Sequence, residues 1–186
     1  SNVWTPSAIG SLVNTSSIQS ILNSGGNVSI TTTGAGTQEG NIAINGSISK
    51  TGGGRASLTL VADGRITTNA SSGGHRVISS TSGALDVSMT ANATTTAATN
   101  SGINLRYLDI TANGGNISAT ASGAQSATAP ALSLQNSTWI TSGAGNISLS
   151  GVLPSNANGL GVFLSANTLT TATGTITVSG TSGGMA

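Results

Sequence analysis

Short runs in which apolar and small polar side chains alternate, set off by glycine, recur along this chain. In Gly145-Asn146-Ile147-Ser148-Leu149-Ser150-Gly151, Ile147 and Leu149 fall on one face and Ser148 and Ser150 on the other, the period-two pattern of a strand with one face in a core. Related runs open at Gly26-Asn27, Gly40-Asn41, Gly115-Asn116 and Gly174-Thr175. The pattern predicts a succession of short strands from 27-32 to 175-179, with 103-111 as one longer strand. Gly25-Gly26, Gly34-Ala35-Gly36, Gly52-Gly53-Gly54, Gly73-Gly74, Gly114-Gly115 and Gly143-Ala144-Gly145 punctuate them as turns. Ahead of Asn27 the pattern changes. Ile18, Ile21 and Leu22 stand at helical spacing, with Ser16 or Ser17 placed to cap a helix and Gly25 to end it. Two regions result: residues 1-26, a loop and short helix covering the first coil, and residues 27-186, a single domain of coils.

The runs also repeat on a longer scale. Leu105 to Asn116, Leu134 to Asn146 and Leu164 to Thr175 can be laid over one another, which aligns the apolar residues Ile110, Ile140 and Leu169, each six positions before the last residue of its stretch. A period of about thirty residues with two or three short strands is what a solenoid coil requires, each turn burying what it cannot bury alone. The expected fold is all-β, a parallel β-helix (β-solenoid), with strands 116-121 and 146-150 in parallel register and Ile147, Leu149, Ile176 and Val178 inside. Asn45-Gly46, Asp63-Gly64, Asn113-Gly114 and Asn158-Gly159 keep an antiparallel, hairpin-built alternative open.

Composition sharpens this picture. Hydrophobic residues make up 36% of the 186, enough for one core, but aromatics are only 2%, so the core is aliphatic and thin. Charged residues are 5%, against about 25% in ordinary soluble domains. A net charge of +1 spread along the chain gives no basic stripe for nucleic acid. There is no cysteine, and no apolar run reaches the roughly eighteen residues of a spanning helix, so membrane insertion is not expected. The chain starts and stops within repeat-like sequence, as a piece of a longer shaft would.

Candidate chemistry is sparse. General acid-base cleavage of a polysaccharide needs two carboxyl groups within reach of one bond. The acids are Glu39, Asp63, Asp86 and Asp109, and only Asp86 and Asp109, with Arg106, could meet on adjacent coils. His75 follows Gly73-Gly74 and reads as a turn residue; without further His or Cys no metal or other cofactor is assigned. Serines and threonines lack His and acid partners in recognisable order, so no catalytic residue is assigned. Asn-x-Ser/Thr sequons stand at Asn14, Asn27, Asn45, Asn69, Asn92, Asn116, Asn136 and Asn146, candidate glycan acceptors on a secreted surface.

Trp4-Thr5-Pro6, the Ile18 to Leu22 segment, Gly26-Asn27-Val28-Ser29-Ile30, Gly40-Asn41-Ile42-Ala43-Ile44 and Ser57-Leu58-Thr59-Leu60-Val61-Ala62-Asp63-Gly64-Arg65-Ile66 occur here in an order that resembles a known family. It is similar to the repeat region of large bacterial exoproteins exported by two-partner secretion, the group containing filamentous haemagglutinin and the high-molecular-weight adhesins. Residues 1 to about 92 carry the resemblance best, and 103 to 180 match the family's looser Gly-Asn-Ile-Ser coils. The resemblance implies a right-handed parallel β-helix, an outer-membrane secretion pore as partner, a secreted or cell-surface location, and some asparagine glycosylation. The Asn-Pro-Asn-Gly type motif of the family's secretion domain is not among these residues.

The expected role is structural and adhesive: a shaft segment attaching to cells or surfaces through host or surface glycans and proteins, without enzymatic activity. A carbohydrate-active β-helix module, such as a polysaccharide lyase or phage tail spike, is the alternative. An ice-binding threonine face is a further one, interrupted here by Ser, Ala and Asn. An uncapped last coil would make strand 175-179 a site of end-to-end self-association.

Overall fold

The computed structural model describes residues 2–8, 10–33, 39–68, 70–92, 101–123, 128–154 and 157–183. Its strands form three parallel sheets that wind into a β-solenoid of about five turns. Sheet A holds β1 (Asn2–Trp4), β2 (Val28–Thr31), β5 (Ala56–Ala62), β8 (Leu85–Asn92), β11 (Ile117–Ser122), β14 (Ile147–Val152) and β17 (Ile176–Thr181), in that order. Sheet B stacks β3 (Ile42–Ile44), β6 (Ile66–Thr68), β9 (Ile103–Arg106), β12 (Leu132–Gln135) and β15 (Val162–Ser165). Sheet C stacks β4 (Ile48–Lys50), β7 (Arg76–Ser80), β10 (Leu108–Thr111), β13 (Thr138–Thr141) and β16 (Thr168–Thr171). After β2 the chain visits A, B and C in turn, so every strand pairs with its counterpart one coil away. The pairing of β11 with β14 is parallel, with Ile117 opposite Ile147 and Ala119 opposite Leu149. The antiparallel alternative is thereby overturned: Asn45-Gly46 and Asn113-Gly114 lie at solenoid corners rather than in hairpins.

Alternation fills the interior in columns. Val28, Leu58, Val87, Ile117 and Ile147 stack along sheet A and are all buried, with Ile176 completing the column at the far end. Because each coil covers the one before, a side chain of moderate size suffices at every level, which explains a core almost without rings. The exception is Trp139, fully buried, whose indole N–H donates to the carbonyl of Leu108 at 3.0 Å. Trp139 also corrects the expected alignment: Ile110 pairs with Trp139, and Trp139 with Leu169, so Ile140 turns outward and is 38% exposed. The turn from Thr141 to Ile147 carries one residue more than the turn from Ala112 to Ile117, and a slip of one position exchanges the two faces of a strand.

The ends of the stack differ. Residues 2–4, within the expected leading loop, instead form β1 and extend sheet A. In the C position of the same coil, helix α1 (Thr15–Asn23) replaces a strand. Asn14, not Ser16 or Ser17, caps it, accepting from the Ser16 N–H at 2.9 Å, and Gly25 follows the helix with φ of 79°. Ile18 and Leu22 bury its inner face. Gln19 Oε1 accepts from the Ser49 N–H at 2.8 Å, and Asn23 Oδ1 from the N–H groups of Thr51 and Gly52 at 2.7 and 3.1 Å. Side chains of the helix thus satisfy donors along and just beyond β4 that a neighbouring strand would otherwise take. At the opposite end Ile176 and Val178 keep their inward register with Ile147 and Leu149 but are 44% and 46% exposed. Their expected burial fails because, among the described residues, no further coil lies over them.

Candidate functional site

The corner between sheets C and A is held from both sides by side chains. On the way into sheet A an Asx column forms. Asn27 Oδ1 accepts from the Ser57 N–H at 3.0 Å, Asp86 Oδ1 from the Asn116 N–H at 2.8 Å, Asn116 Oδ1 from the Asn146 N–H at 3.0 Å, and Asn146 Oδ1 from the Thr175 N–H at 2.8 Å. On the way out of sheet C an inward polar residue ties down the following turn. Lys50 is fully buried, and its ammonium donates to the carbonyls of Gly52 at 2.6 Å, Gly53 at 3.1 Å and Ser82. Burial pushes Lys50 below its ordinary value of 10.5. Ser80 occupies the same position one coil on and donates to Gly83 O at 2.8 Å; Thr171 repeats the device toward Gly174 O, whereas Thr141 reaches back to Gly115 O in the turn of the preceding coil. These are scaffold contacts, and they occupy the buried polar groups of Lys50, Ser80 and Thr141.

The corner between sheets B and C is chemically richer. Tyr107, between β9 and β10, has φ of 56°, and the residues at that corner in the next two coils, Asn136 and Ala166, have φ of 51° and 54°. The coil demands a left-handed residue here, which Asn tolerates and Tyr does not favour. This kink divides the expected strand 103-111 in two. The half-buried Tyr107 ring lies 5.1 Å from that of His75, tilted by 57°, and the Arg106 guanidinium lies over it at 5.9 Å. His75 Nδ1 is 2.8 Å from Asp109 Oδ2, while Asp109 Oδ1 accepts the Thr138 N–H at 2.8 Å. Thr68 braces the corner, its hydroxyl donating to Arg106 O and accepting from Arg106 N–H, both at 2.8 Å. His75, Arg106, Tyr107 and Asp109 thus gather in a chain that is 5% charged and 2% aromatic.

Several of the other charged residues are tied off within the fold. Arg55 makes a two-pronged pair with Asp86, at 2.8 and 2.6 Å. Arg65 Nε donates to Ser101 O at 2.9 Å; burial lowers its guanidinium from the ordinary value, and nearby Glu39 opposes that shift. Asp86 and Asp109, the one acid pair that could have met beside Arg106, stand on sheets A and C and are held by different bases, so only Asp109 belongs to the corner. No group of three or more potential metal-ligating His, Cys, Asp or Glu occurs among the described residues. Of the sequons, Asn14, Asn27, Asn45, Asn92, Asn116 and Asn146 are exposed and Asn136 is half-buried; Asn69, like the turn at residues 34–36, lies outside the described residues. The His75–Asp109 contact spans 34 residues, and nothing in local spacing marks it. The approximate thirty-residue period was the one signal that could have brought these positions together.

No family model, curated protein or solved structure matches the chain in comparisons with each. The class that fold and corner define is a parallel β-solenoid with a polar-aromatic patch on its side.

Proposed function

We propose that the chain is a structural and adhesive segment of a large secreted bacterial surface exoprotein of the two-partner-secretion kind, attaching a cell to other cells or surfaces. The observation that carries this reading is the in-register parallel stack itself. It makes an extended scaffold from small side chains, ties most charges into its own corners, and leaves an outer surface of Ser, Thr and Asn hydroxyls and amides. Such a surface favours many weak polar contacts over one deep pocket. In that setting the exposed sequons, Asn45 among them, are proposed glycan acceptors.

Attachment under flow tests the reading. Beads carrying the chain should be retained on epithelial or bacterial cell layers well above albumin-coated beads, in proportion to coating density. Retention no greater than that of albumin would count against it.

A further inference from the structure

We infer that the corner formed by His75, Arg106 and Tyr107 is a binding site for an acidic sugar, a saccharide unit bearing both a carboxylate and free hydroxyls. The inference rests on the adhesive reading and gives it one place on the surface.

Three observations carry it. First, Arg106 is exposed and its guanidinium faces the Tyr107 ring, whereas Lys50, Arg55 and Arg65 are each held by carbonyls or a carboxylate. A planar guanidinium matches a carboxylate through two parallel N–H donors. Second, Asp109 is fixed by the Thr138 N–H and takes up Nδ1 of His75. In the neutral imidazole the proton then sits on Nδ1, which leaves Nε2 as an acceptor for a hydroxyl. The His75 side chain is 36% exposed. Third, Tyr107 occupies a left-handed corner where the next two coils place Asn136 and Ala166. A backbone outlier of this kind is a pointer to function when the side chain it carries has chemistry to offer. Here the side chain carries a phenol O–H on a ring that neighbours both a cation and an imidazole. A carboxylate on Arg106 with a neighbouring hydroxyl on His75 is the combination that uronic and sialic acids present, and that a purely acidic peptide such as polyglutamate lacks.

Amide chemical-shift titration of the whole chain decides the matter. Trigalacturonate and 3′-sialyllactose are the two acidic probes, and they distinguish a uronic from a sialic source. Lactose is the neutral control and a short polyglutamate the peptide control. The expected result is saturable shifts centred on residues 75, 106, 107 and 109 with at least one acidic sugar, and none with lactose. Arg106→Gln should weaken binding by about tenfold, the loss of one charge-assisted contact. Tyr107→Asn, which suits the corner as Asn136 does, should fold normally and also bind more weakly. Absence of shifts with both acidic sugars, binding unchanged in Arg106→Gln, or polyglutamate producing the same shifts at lower concentration would each overturn the site. The bead assay separates this from the broader reading. Beads of Arg106→Gln retained as well as wild type would remove the corner and leave adhesion standing, while sugar binding without bead retention would do the reverse.

Discussion

Asn116 Oδ1 accepts the backbone N–H of Asn146 at 3.0 Å, one coil further along the stack. The side chain does between coils what an N-cap does at a helix, pairing a donor that the turn would otherwise leave free. Asn146 repeats the contact to Thr175, so the Gly-Asn of each run is more than turn chemistry.

Asn146→Ala removes the acceptor for both the Thr175 N–H and hydroxyl. It should destabilise the chain by about 1 kcal/mol, the usual worth of such a cap. Urea unfolding should show a lower midpoint with the slope unchanged.

Gly151 lies inside β14, where its inward position faces the next corner, and a Cβ built there would overlap the carbonyl oxygen of Gly161. Gly151→Ala should cost about 1–3 kcal/mol through overpacking. Gly151 is part of an inward column with Ala121 and Gly180, and small residues there let sheet A approach sheet B. Thermal unfolding of Gly151→Ala beside Gly143→Ala measures both: φ at Gly143 is 56° but the space around it is open, so the second change carries only backbone strain.

Gly151 also shows where reading a sequence stops. Period-two alternation located most of the strands, because burial on one face leaves no freedom in register. Glycine in a sequence reads as punctuation and ends these strands short of Gly151 and Gly180, which are strand residues of β14 and β17 placed for close approach. Three-residue strands such as Ile48–Lys50 are too short to show a period, and Lys50 at its end is inward only because a carbonyl cage receives its charge. The corner patch was illegible for a different reason. It depends on a left-handed Tyr107 and on a contact across unequal coils, neither of which has a local signature.

Lys50→Met keeps the apolar stem but leaves the carbonyls of Gly52, Gly53 and Ser82 without that donor. A loss of roughly 2–4 kcal/mol is expected. The wild type has its own pH signature. Burial lowers Lys50 from 10.5, so between the lowered value and 10.5 the unfolded chain binds more protons than the folded one. This group's contribution therefore rises with pH across that window, is constant below it, and is absent in Lys50→Met. Chemical unfolding from pH 8 to 11 compares the two slopes.

Ala166 occupies the left-handed corner with a side chain that gains nothing there. Ala166→Asn, copying Asn136, should stabilise the chain by about 0.5–1 kcal/mol. A higher melting temperature with unchanged circular dichroism would agree; a lower one would mean that the corner does not set the cost.

Helix α1 sits in a strand's place at one end of the stack, while the other end presents β15, β16 and β17 uncovered among the described residues. Under tension this asymmetry gives the molecule a direction of failure. A pull on the last coil meets only its own ladder with the coil before, so coils should peel one at a time from that end, and the helix-locked end should yield last. Each released coil, 29 or 30 residues by the spacing of the Asn column, pays out roughly 100 Å of chain at about 3.3–3.6 Å per residue. Optical-trap extension should record a staircase of nearly equal steps, which would let a shaft of this construction lengthen under load instead of detaching.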